Sequence, residues 1–392
     1  MTRIGALALG AAALLATGAG GAEAKAGPGG LAFYHPPKTL PKGHGSLIWA
    51  RKAGGLVPLA RAASTRLVLY TSLSPQGKLV AVSGSVSIPK GKPPKGGWPV
   101  ISYAHGTTGI ADVCAPSRAR KGNPALAYTT YIDPELNAWL KAGYAVLRTD
   151  YQGLGTPGVH PYLVGNSEGR SVLDIVRAAR QLDPRIGKRF LIAGHSQGGH
   201  AALFAAGEAA RYTPDLKLRG AVAYAPGSHL LEQAEALPAL VTPSSLTALA
   251  SMIVEGARTA SSAIKPSLLL SDPVLALYPL VRTECLSQIS APDKLGGIAP
   301  ATMIRSGADT SALYGVLARA NPDVKTGAPL MVAQGDADTT VFKLLTDPLV
   351  AELKAKGDKV AYKVYPGVDH GGVVVAAEAD ALHFFEQHLP AG

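Results

Sequence analysis

The 392-residue sequence has few of the residue types that hold metals or stack on bases. It contains two cysteines, and aromatic residues (Phe, Trp and Tyr) make up only 6% of the chain. No Cys/His cluster has the spacing of a zinc site, so no metal is predicted. The 45 glycines follow no three-residue period, which excludes a collagen-like chain. Because 47% of the residues are hydrophobic and only 17% are charged, the chain can bury enough apolar surface to fold.

Acidic residues are missing from one long stretch of the chain. Residues 25–100 contain no Asp or Glu and residues 101–392 carry no net charge, so the formal net charge of +11 belongs to this stretch. We consider two interpretations: a solvated basic face that aids solubility, or a docking surface for an anionic membrane or envelope polymer. Nucleic acid is not a predicted partner, because no recognition motif accompanies the charge. The eleven cations are Lys25, Lys38, Lys42, Arg51, Lys52, Arg61, Arg66, Lys78, Lys90, Lys92 and Lys95.

The N-terminus is typical of an export signal. Arg3 precedes an apolar run over residues 4–16, and small-x-small cleavage sites end at Ala24 and Ala26. The run is short and rich in alanine, which favours a cleaved signal peptide over residues 1–24 rather than the alternative, an uncleaved anchor. No later segment offers 18 apolar residues free of charge or proline. We therefore expect a secreted protein, extracellular or held in the periplasm or cell envelope, whose oligomeric state the sequence does not indicate.

The two cysteines, Cys114 and Cys285, fit an oxidising compartment. They could form one disulfide, which would stabilise the fold by roughly 5 kcal/mol in the loop-entropy account. Two separate buried thiols are the alternative.

Short apolar runs alternate with helical patterns in two parts of the chain. Such alternation implies crossover connections and hence an α/β fold with a mostly parallel, doubly wound sheet. The segments 66–72 and 78–88, separated by a turn, predict an antiparallel start to that sheet. The predicted parallel strands are 99–104, 144–148, 190–193, 220–225, 329–333 and 359–364. The predicted helices are 134–142 with Asp133 as N-cap, 167–182, 197–211, 340–356 and 376–388.

The interval from Gly227 to Gly327 contains helical apolar stretches cut by prolines but no convincing strand. It is predicted to be a helical insertion, and such insertions often cover a site. The predicted organisation is a signal peptide (1–24), an N-terminal basic leader (25–65), the first part of the core (66–226), the helical cap (227–327) and the second part of the core (328–392).

The strongest chemical signal is Gly194-His195-Ser196-Gln197-Gly198. Gly-x-Ser-x-Gly alone is weak, but here it follows a predicted strand and starts a predicted helix. In that context the turn admits only small residues beside the serine and exposes its hydroxyl above the sheet. We therefore predict Ser196 to be a nucleophile. An ordinary serine in a glycine turn is the alternative.

A nucleophilic serine needs a base, and the base needs an orienting acid. His370 follows the last predicted strand and is flanked by Gly367, Gly371 and Gly372, which let a loop approach Ser196. Asp338 follows the strand before it and is the predicted acid. Asp336, beside Gly335, is instead predicted to fix the turn, and the alternative role for Asp338 is that of a helix cap.

An oxyanion hole requires two backbone N–H donors directed at the developing charge. Gln197 supplies one by its position after Ser196, and Thr107 in the loop His105-Gly106-Thr107-Thr108-Gly109 is the predicted second donor. A plain glycine turn is the alternative for this loop. All these segments follow strands, and the carboxyl ends of parallel strands carry the sites of open α/β sheets.

Taken together, residues 67–388 resemble an α/β-hydrolase and, within that fold, the secretory lipase family. His195 in the elbow and the neutral oxyanion loop depart from the fungal members, which usually have a Tyr and an acidic residue there, so the resemblance is to the bacterial branch. The most specific motifs are Ser102-Tyr103, Asp112–Ser117, Asp150–Gly155, Tyr162-x-x-Gly165, Gly169-x-Ser171–Asp174 and Gly194–Gly198.

The resemblance implies a serine carboxylester hydrolase that acts on ester or lipid substrates and needs no cofactor. It also implies that Ser196, Asp338 and His370 form the triad, that a helical cap precedes the acid, and that Cys114 bridges to Cys285. Within this chemistry, an esterase for short-chain, polyester or cell-wall esters is an alternative, as is a serine peptidase. An alternative of another class is a secreted binding protein on an inactive scaffold.

Overall fold

The computed structural model describes residues 24–392, so the predicted signal peptide, apart from its last residue Ala24, lies outside the described residues. Nine strands form one sheet in the order β1-β2-β3-β5-β4-β6-β7-β8-β9. None of the helices in residues 24–392 is long and apolar enough to cross a membrane. The strands are β1 (Leu47–Lys52), β2 (Ala62–Leu73), β3 (Leu79–Pro89), β4 (Trp98–Ala104), β5 (Ala145–Gln152), β6 (Ile186–His195), β7 (Lys217–Tyr224), β8 (Leu330–Gly335) and β9 (Val360–Tyr365).

The sheet has an antiparallel edge and a parallel body. Strands β1, β2 and β3 pair antiparallel with one another, and β3 pairs antiparallel with β5. From β5 through β4, β6, β7 and β8 to β9, every neighbouring pair is parallel. The predicted fold class is therefore confirmed: a mostly parallel sheet whose strands are connected through helices.

Helices cover both faces of the sheet. One face packs its apolar residues against α3, α4 and α11, and the other packs against α2, α12 and α13. The helices are α1 (Leu126–Thr130), α2 (Asp133–Lys141), α3 (Gly165–Leu182), α4 (Gln197–Tyr212), α5 (Leu230–Ala236), α6 (Leu246–Ala260), α7 (Pro266–Leu269), α8 (Asp272–Leu277), α9 (Leu286–Ile289), α10 (Ser311–Leu317), α11 (Lys343–Ala355), α12 (Gly372–Ala376) and α13 (Glu378–His388).

Four local predictions differ from the structure. Strand β1, which is only six residues long and belongs to the predicted leader, was not predicted. Asp133 is the first residue of α2 rather than its N-cap. The helix expected from residue 340 begins at Lys343, because Asp338 accepts backbone N–H bonds that hold the preceding residues in a turn. The last predicted helix, 376–388, corresponds to α13, which begins at Glu378, and the short helix α12 before it was not predicted.

The described residues contain no strand between Tyr224 and Leu330, where helices α5 to α10 lie. Their apolar side chains form, together with Ile110, Tyr162 and Leu163, a hydrophobic cluster separate from the two clusters that flank the sheet. The predicted cap, residues 227–327, falls within this interval, and the domain boundaries stay a prediction. The short helices reflect the prolines, which lack the N–H that a helix interior requires.

Candidate active site

Ser196 lies on a sharp turn between β6 and α4. Its φ of 59° and ψ of −117° are unfavourable for a residue with a side chain. The conformation is held because the N–H of Ser196 donates to the carbonyl of Tyr224 over 2.9 Å. The flanking glycines are required: a Cβ on Gly194 would approach the Gly198 carbonyl oxygen to 2.0 Å, and one on Gly198 would approach the Ala104 oxygen to 1.9 Å. The tight turn predicted from the sequence is therefore present.

Asp338 and His370 are hydrogen bonded to each other. Nδ1 of His370 donates to Oδ2 of Asp338 over 2.7 Å, which leaves Nε2 for proton transfer. The Asp338 side chain is fully buried and that of His370 is 21% exposed. Burial alone would raise the pKa of Asp338, but the His370 partner and the N–H groups of Thr340 and Val341 outweigh burial and lower it. Asp338 is therefore a buried anion that fixes the orientation of the imidazole through its Nδ1.

Both carboxylate oxygens of Asp338 accept hydrogen bonds, but Asp338 does not cap α11, whose N-cap is Phe342. Oδ1 accepts the backbone N–H groups of Thr340 and Val341 over 2.8 and 2.9 Å, while Oδ2 accepts His370. Asp336 instead accepts the N–H of Gly367 over 2.6 Å, so it ties two loops together without reaching His370.

His195 supports the loop that carries His370. Its Nε2 donates to the backbone carbonyl of His370 over 2.8 Å, and its Nδ1 accepts the hydroxyl of Tyr131 over 2.6 Å. Burial and the nearby His370 lower the pKa of His195 to about 3, so the ring is neutral. The two imidazole centroids are 4.6 Å apart. His195 thus fixes the backbone and packs on the ring of His370.

The two predicted oxyanion donors border the same cavity as Ser196. Gln197 is the first residue of α4, so its N–H has no acceptor within the helix. Among the described residues, the N–H of Thr107 makes no hydrogen bond, while its side-chain Oγ1 lies 2.7 Å from the hydroxyl of Tyr162. Both N–H groups are therefore available for a developing negative charge.

A disulfide fastens the segment that follows the Thr107 loop to the helical interval. Cys114 and Cys285 are bonded, with a Cα–Cα distance of 5.5 Å. Next to it, the N–H of Leu286 donates to the carbonyl of Thr108 over 3.0 Å, and Gly109 forms a β-bridge with Cys285. The loop that carries Thr107 is thus held from both the sheet and the helical side.

A second carboxylate, Glu168 of α3, lies behind the elbow and is 1% exposed. Its Oε1 accepts the side-chain Nε2 of Gln197 over 2.7 Å, and its Oε2 lies 3.2 Å from Nδ1 of His200. The Gln197 amide also donates to Nε2 of His160 over 2.8 Å. Burial alone would raise the pKa of Glu168, but the His200 partner and the other donors lower it. Both donor hydrogens of the Gln197 side chain are therefore used, which locks that side chain in place.

A cavity of about 1040 Å³ opens above Ser196 and His370. Glu232 is the one Asp, Glu, Lys or Arg that lines it among residues 24–392. No group of His, Cys, Asp and Glu within that range could hold a metal ion. The helical interval contributes most of the apolar wall, including Leu230, Leu237, Leu240, Leu246, Leu249 and Ile253.

The structure brings Ser196, His370, Gln197 and Thr107 to one cavity, with Asp338 directly behind His370. Glu168 of α3 was not among the residues predicted from the sequence. A signal was present, because Glu168 shares a helical face with buried Val172 and Ile175, where a carboxylate needs a polar partner.

Two protein-family models match parts of the chain. The Secretory lipase family model matches residues 122–268, which include Ser196, and the resemblance predicted from the motifs is confirmed. The Prolyl oligopeptidase family model matches residues 300–391, the segment that carries Asp338 and His370. The similarity to the bacterial branch in particular stays a prediction.

Two curated proteins are similar to part of the chain. "Lipase A" of Moesziomyces aphidis is 28% identical over 198 residues, which are 48% of this chain and 41% of that protein. "Probable inactive lipase MT1628" of Mycobacterium tuberculosis (strain CDC 1551 / Oshkosh) is 30% identical over 205 residues, which are 50% of this chain and 44% of that protein. The matched region is therefore less than half of either relative.

The solved structure of Candida antarctica lipase A in its closed state superposes with a TM-score of 0.76. The two sequences are 20% identical, and the match covers 91% of this chain and 84% of that chain. At this identity the likeness establishes the fold, which is that of an α/β-hydrolase.

Proposed function

We propose that the protein is a secreted serine carboxylester hydrolase that cleaves lipid esters. The observation that carries this proposal is the placement of Ser196 and the Asp338-bonded His370 at the wall of one large apolar cavity. The Cys114–Cys285 disulfide supports secretion, since disulfides persist in oxidising compartments. The family match and the lipase names of the relatives support the same reaction class.

The proposed reaction is a two-step acyl transfer. Ser196 Oγ attacks the ester carbonyl while Nε2 of His370 takes its proton, and Asp338 stabilises the resulting imidazolium. The N–H groups of Gln197 and Thr107 bind the oxyanion, and each such donor contributes on the order of 3 kcal/mol to the transition state. His370 then protonates the leaving alcohol, and water hydrolyses the acyl-enzyme by the same route.

The cavity favours an acyl chain as the group that is bound. Its volume lies at the upper end of the roughly 300–1,000 Å³ found for small-molecule sites, and its wall is mainly aliphatic. Three of its lining residues, Phe342, Leu344 and Val375, are exposed at 40%, 74% and 68%. Such an apolar rim suits a mouth that opens onto lipid rather than onto water alone.

A peptidase is less well supported, although one family model points to that class. That match, residues 300–391, does not include Ser196. A peptide amide and the charged termini of a peptide would also need polar partners. Apart from the histidines, Glu232 is the one acidic or basic residue that lines the cavity among the described residues. An ester with a long apolar chain makes no such demand.

The test is a chain-length series of p-nitrophenyl esters and triglycerides, below and above their solubility limits. We expect activity to rise from short to medium or long acyl chains and to disappear in Ser196→Ala. Ser290→Ala, which changes another serine of the cavity wall, is the matched control and should stay active. Activity confined to the shortest esters would favour the esterase alternative, and full activity of Ser196→Ala would refute the proposed nucleophile.

A further inference from the structure

Within residues 24–392, the Lys and Arg side chains of residues 25–100 form no salt bridge. Among the described residues, every salt bridge of a Lys or Arg uses a cation from residues 101–392. Folding therefore neutralises much of the positive charge on the rest of the chain and leaves that of the N-terminal stretch unpaired.

Two of these cations lie directly opposite each other on the antiparallel edge of the sheet. Lys52 at the end of β1 is the cross-strand partner of Arg66 in β2. Like charges in such a pair are only about 5 Å apart at Cβ and destabilise the pairing. In addition, Nε of Arg66 is buried and has no hydrogen-bond partner within residues 24–392. An anion bound beside this pair would relieve the repulsion.

Further cations gather at the same end of the strands. Ala62 pairs with Pro89, so Arg61, just before β2, lies near Lys90, just after β3. Lys92 and Lys95 follow in the connection to β4, and all three of these lysines are exposed. We call Lys52, Arg61, Arg66, Lys90, Lys92 and Lys95 the basic edge patch.

The basic edge patch and the cavity mouth lie at opposite ends of the sheet. β3 runs antiparallel to β5, with Val82 opposite Gln152 at the carboxyl end of β5 and Ser87 opposite Val146 near its start. Pro89 is therefore at the amino ends of the parallel strands, whereas Ser196 follows the carboxyl end of β6. At about 3.3 Å per residue, a strand of ten residues separates the two by roughly 30 Å.

We propose that the basic edge patch binds a linear, phosphate-bearing polyanion. A chain-like partner fits better than a bilayer, because a flat membrane that meets the apolar mouth would not also reach a patch at the other end of the sheet. Phosphate suits the site because guanidinium groups bind its oxygens in bidentate fashion, and Arg61 and Arg66 supply two of them. In a secreted protein, such a contact would retain the enzyme on an anionic envelope polymer while the mouth stays free.

The test compares binding of long-chain polyphosphate by the purified protein and by two triple variants. Lys90→Gln, Lys92→Gln and Lys95→Gln together should weaken binding on the order of tenfold at low salt, and NaCl should weaken binding by the unchanged protein. The matched control is Lys325→Gln, Lys354→Gln and Lys359→Gln, which removes three exposed lysines of the helical and β9 side that form no salt bridge within 24–392. It should bind as the unchanged protein does.

Three outcomes would overturn the inference: no binding to polyphosphate, equal weakening in both triple variants, or binding only to phosphatidylglycerol vesicles. The last would assign the patch to a membrane, and the first would leave a solvated basic face. Ester hydrolysis by both triple variants verifies that they fold. The choice of a polymer over a bilayer rests on the proposed function, but the two can fail separately, because Ser196→Ala should abolish ester hydrolysis and bind polyphosphate unchanged.

Discussion

Two histidine–carboxylate systems flank the elbow, and they differ in exposure. His370 and Asp338 form a single pair whose imidazole reaches the cavity, with a side chain 21% exposed. His160, His200 and Glu168 form a network that is 0 to 1% exposed. The first pair can exchange a proton with a substrate. The second cannot meet a substrate, because its donors and acceptors are already used within the protein.

The difference shows that residue type alone does not define a catalytic group. Burial lowers the pKa of His160 to about 4, although Glu168 nearby opposes the shift, so that ring is neutral and accepts from Gln197. The same carboxylate locks the side chain of Gln197, whose backbone N–H is the proposed oxyanion donor. We therefore regard Glu168 as a positioning residue and His370 as the catalytic base. The predictions that follow separate these roles.

The largest effect is expected from the exposed pair. Replacing His370 by Ala should lower kcat on p-nitrophenyl esters about a millionfold, because Ser196 then lacks its base. Replacing His160 by Asn should leave most of kcat intact. A similar loss in both variants, measured at equal folded fraction by circular dichroism, would contradict the distinction.

Asp338→Asn should lower kcat about 10,000-fold while the fold is retained, because the amide favours the wrong imidazole tautomer. Asp336→Asn is the matched control, two residues away and bonded to Gly367 rather than to His370. We expect it to change kcat little. Steady-state kinetics measures kcat of both variants. A larger loss of kcat in Asp336→Asn than in Asp338→Asn would show that Asp338 is not the acid that orients His370.

Glu168→Gln tests the buried network. The substitution removes the charge and places an NH₂ group, itself a donor, where Glu168 accepts hydrogen bonds from neighbouring donors. The free energy of unfolding should therefore fall by roughly 3 kcal/mol. A displaced Gln197 should lower kcat on the order of 10- to 100-fold with little change in KM. Glu208→Gln, on the outer side of α4 beside Arg170, is the control. A loss of stability with unchanged kcat in the folded enzyme would limit Glu168 to a structural role.

The smallest effect is a pH dependence of stability. His160 has a folded pKa of about 4, below its usual value of 6.5, so the unfolded chain binds more protons between these values. Stability from this group is therefore complete above pH 6.5 and is lost as the pH falls towards 4. Urea unfolding between pH 7.5 and 5 should show this loss, and His160→Asn should reduce it. As a control, replacing the exposed His35 by Gln should leave the pH dependence of the free energy of unfolding unchanged.

Local patterns predicted most of the sheet and the elbow. The turn at Gly194, Ser196 and Gly198 could be predicted because its requirement for small residues is visible in the sequence itself. His370 and Asp338 could be placed because each follows a strand of a parallel sheet, and such ends converge. The six-residue strand β1 could not be predicted from the sequence. It is buried because the segment around Phe33 packs against Trp49 of this strand.

The buried network was beyond the sequence for a different reason. Glu168 accepts the backbone N–H of Leu163, which lies just before α3. Its other partners, Gln197 and His200, belong to α4, and His200 also bonds the carbonyl of Ala320. The contacts from Glu168 to Gln197 and His200 span 29 and 32 residues, that from His200 to Ala320 spans 120, and no periodicity encodes them. The shape of the cavity has the same origin, because its wall comes from both the sheet and the helical interval.

The most direct test of the central claim is mass spectrometry of the protein after reaction with a fluorophosphonate. A Ser196 activated by His370 and Asp338 predicts one adduct per chain, located on Ser196, absent in Ser196→Ala and formed far more slowly in His370→Ala. No adduct, an adduct on another serine, or labelling that is unaffected by His370→Ala would contradict it.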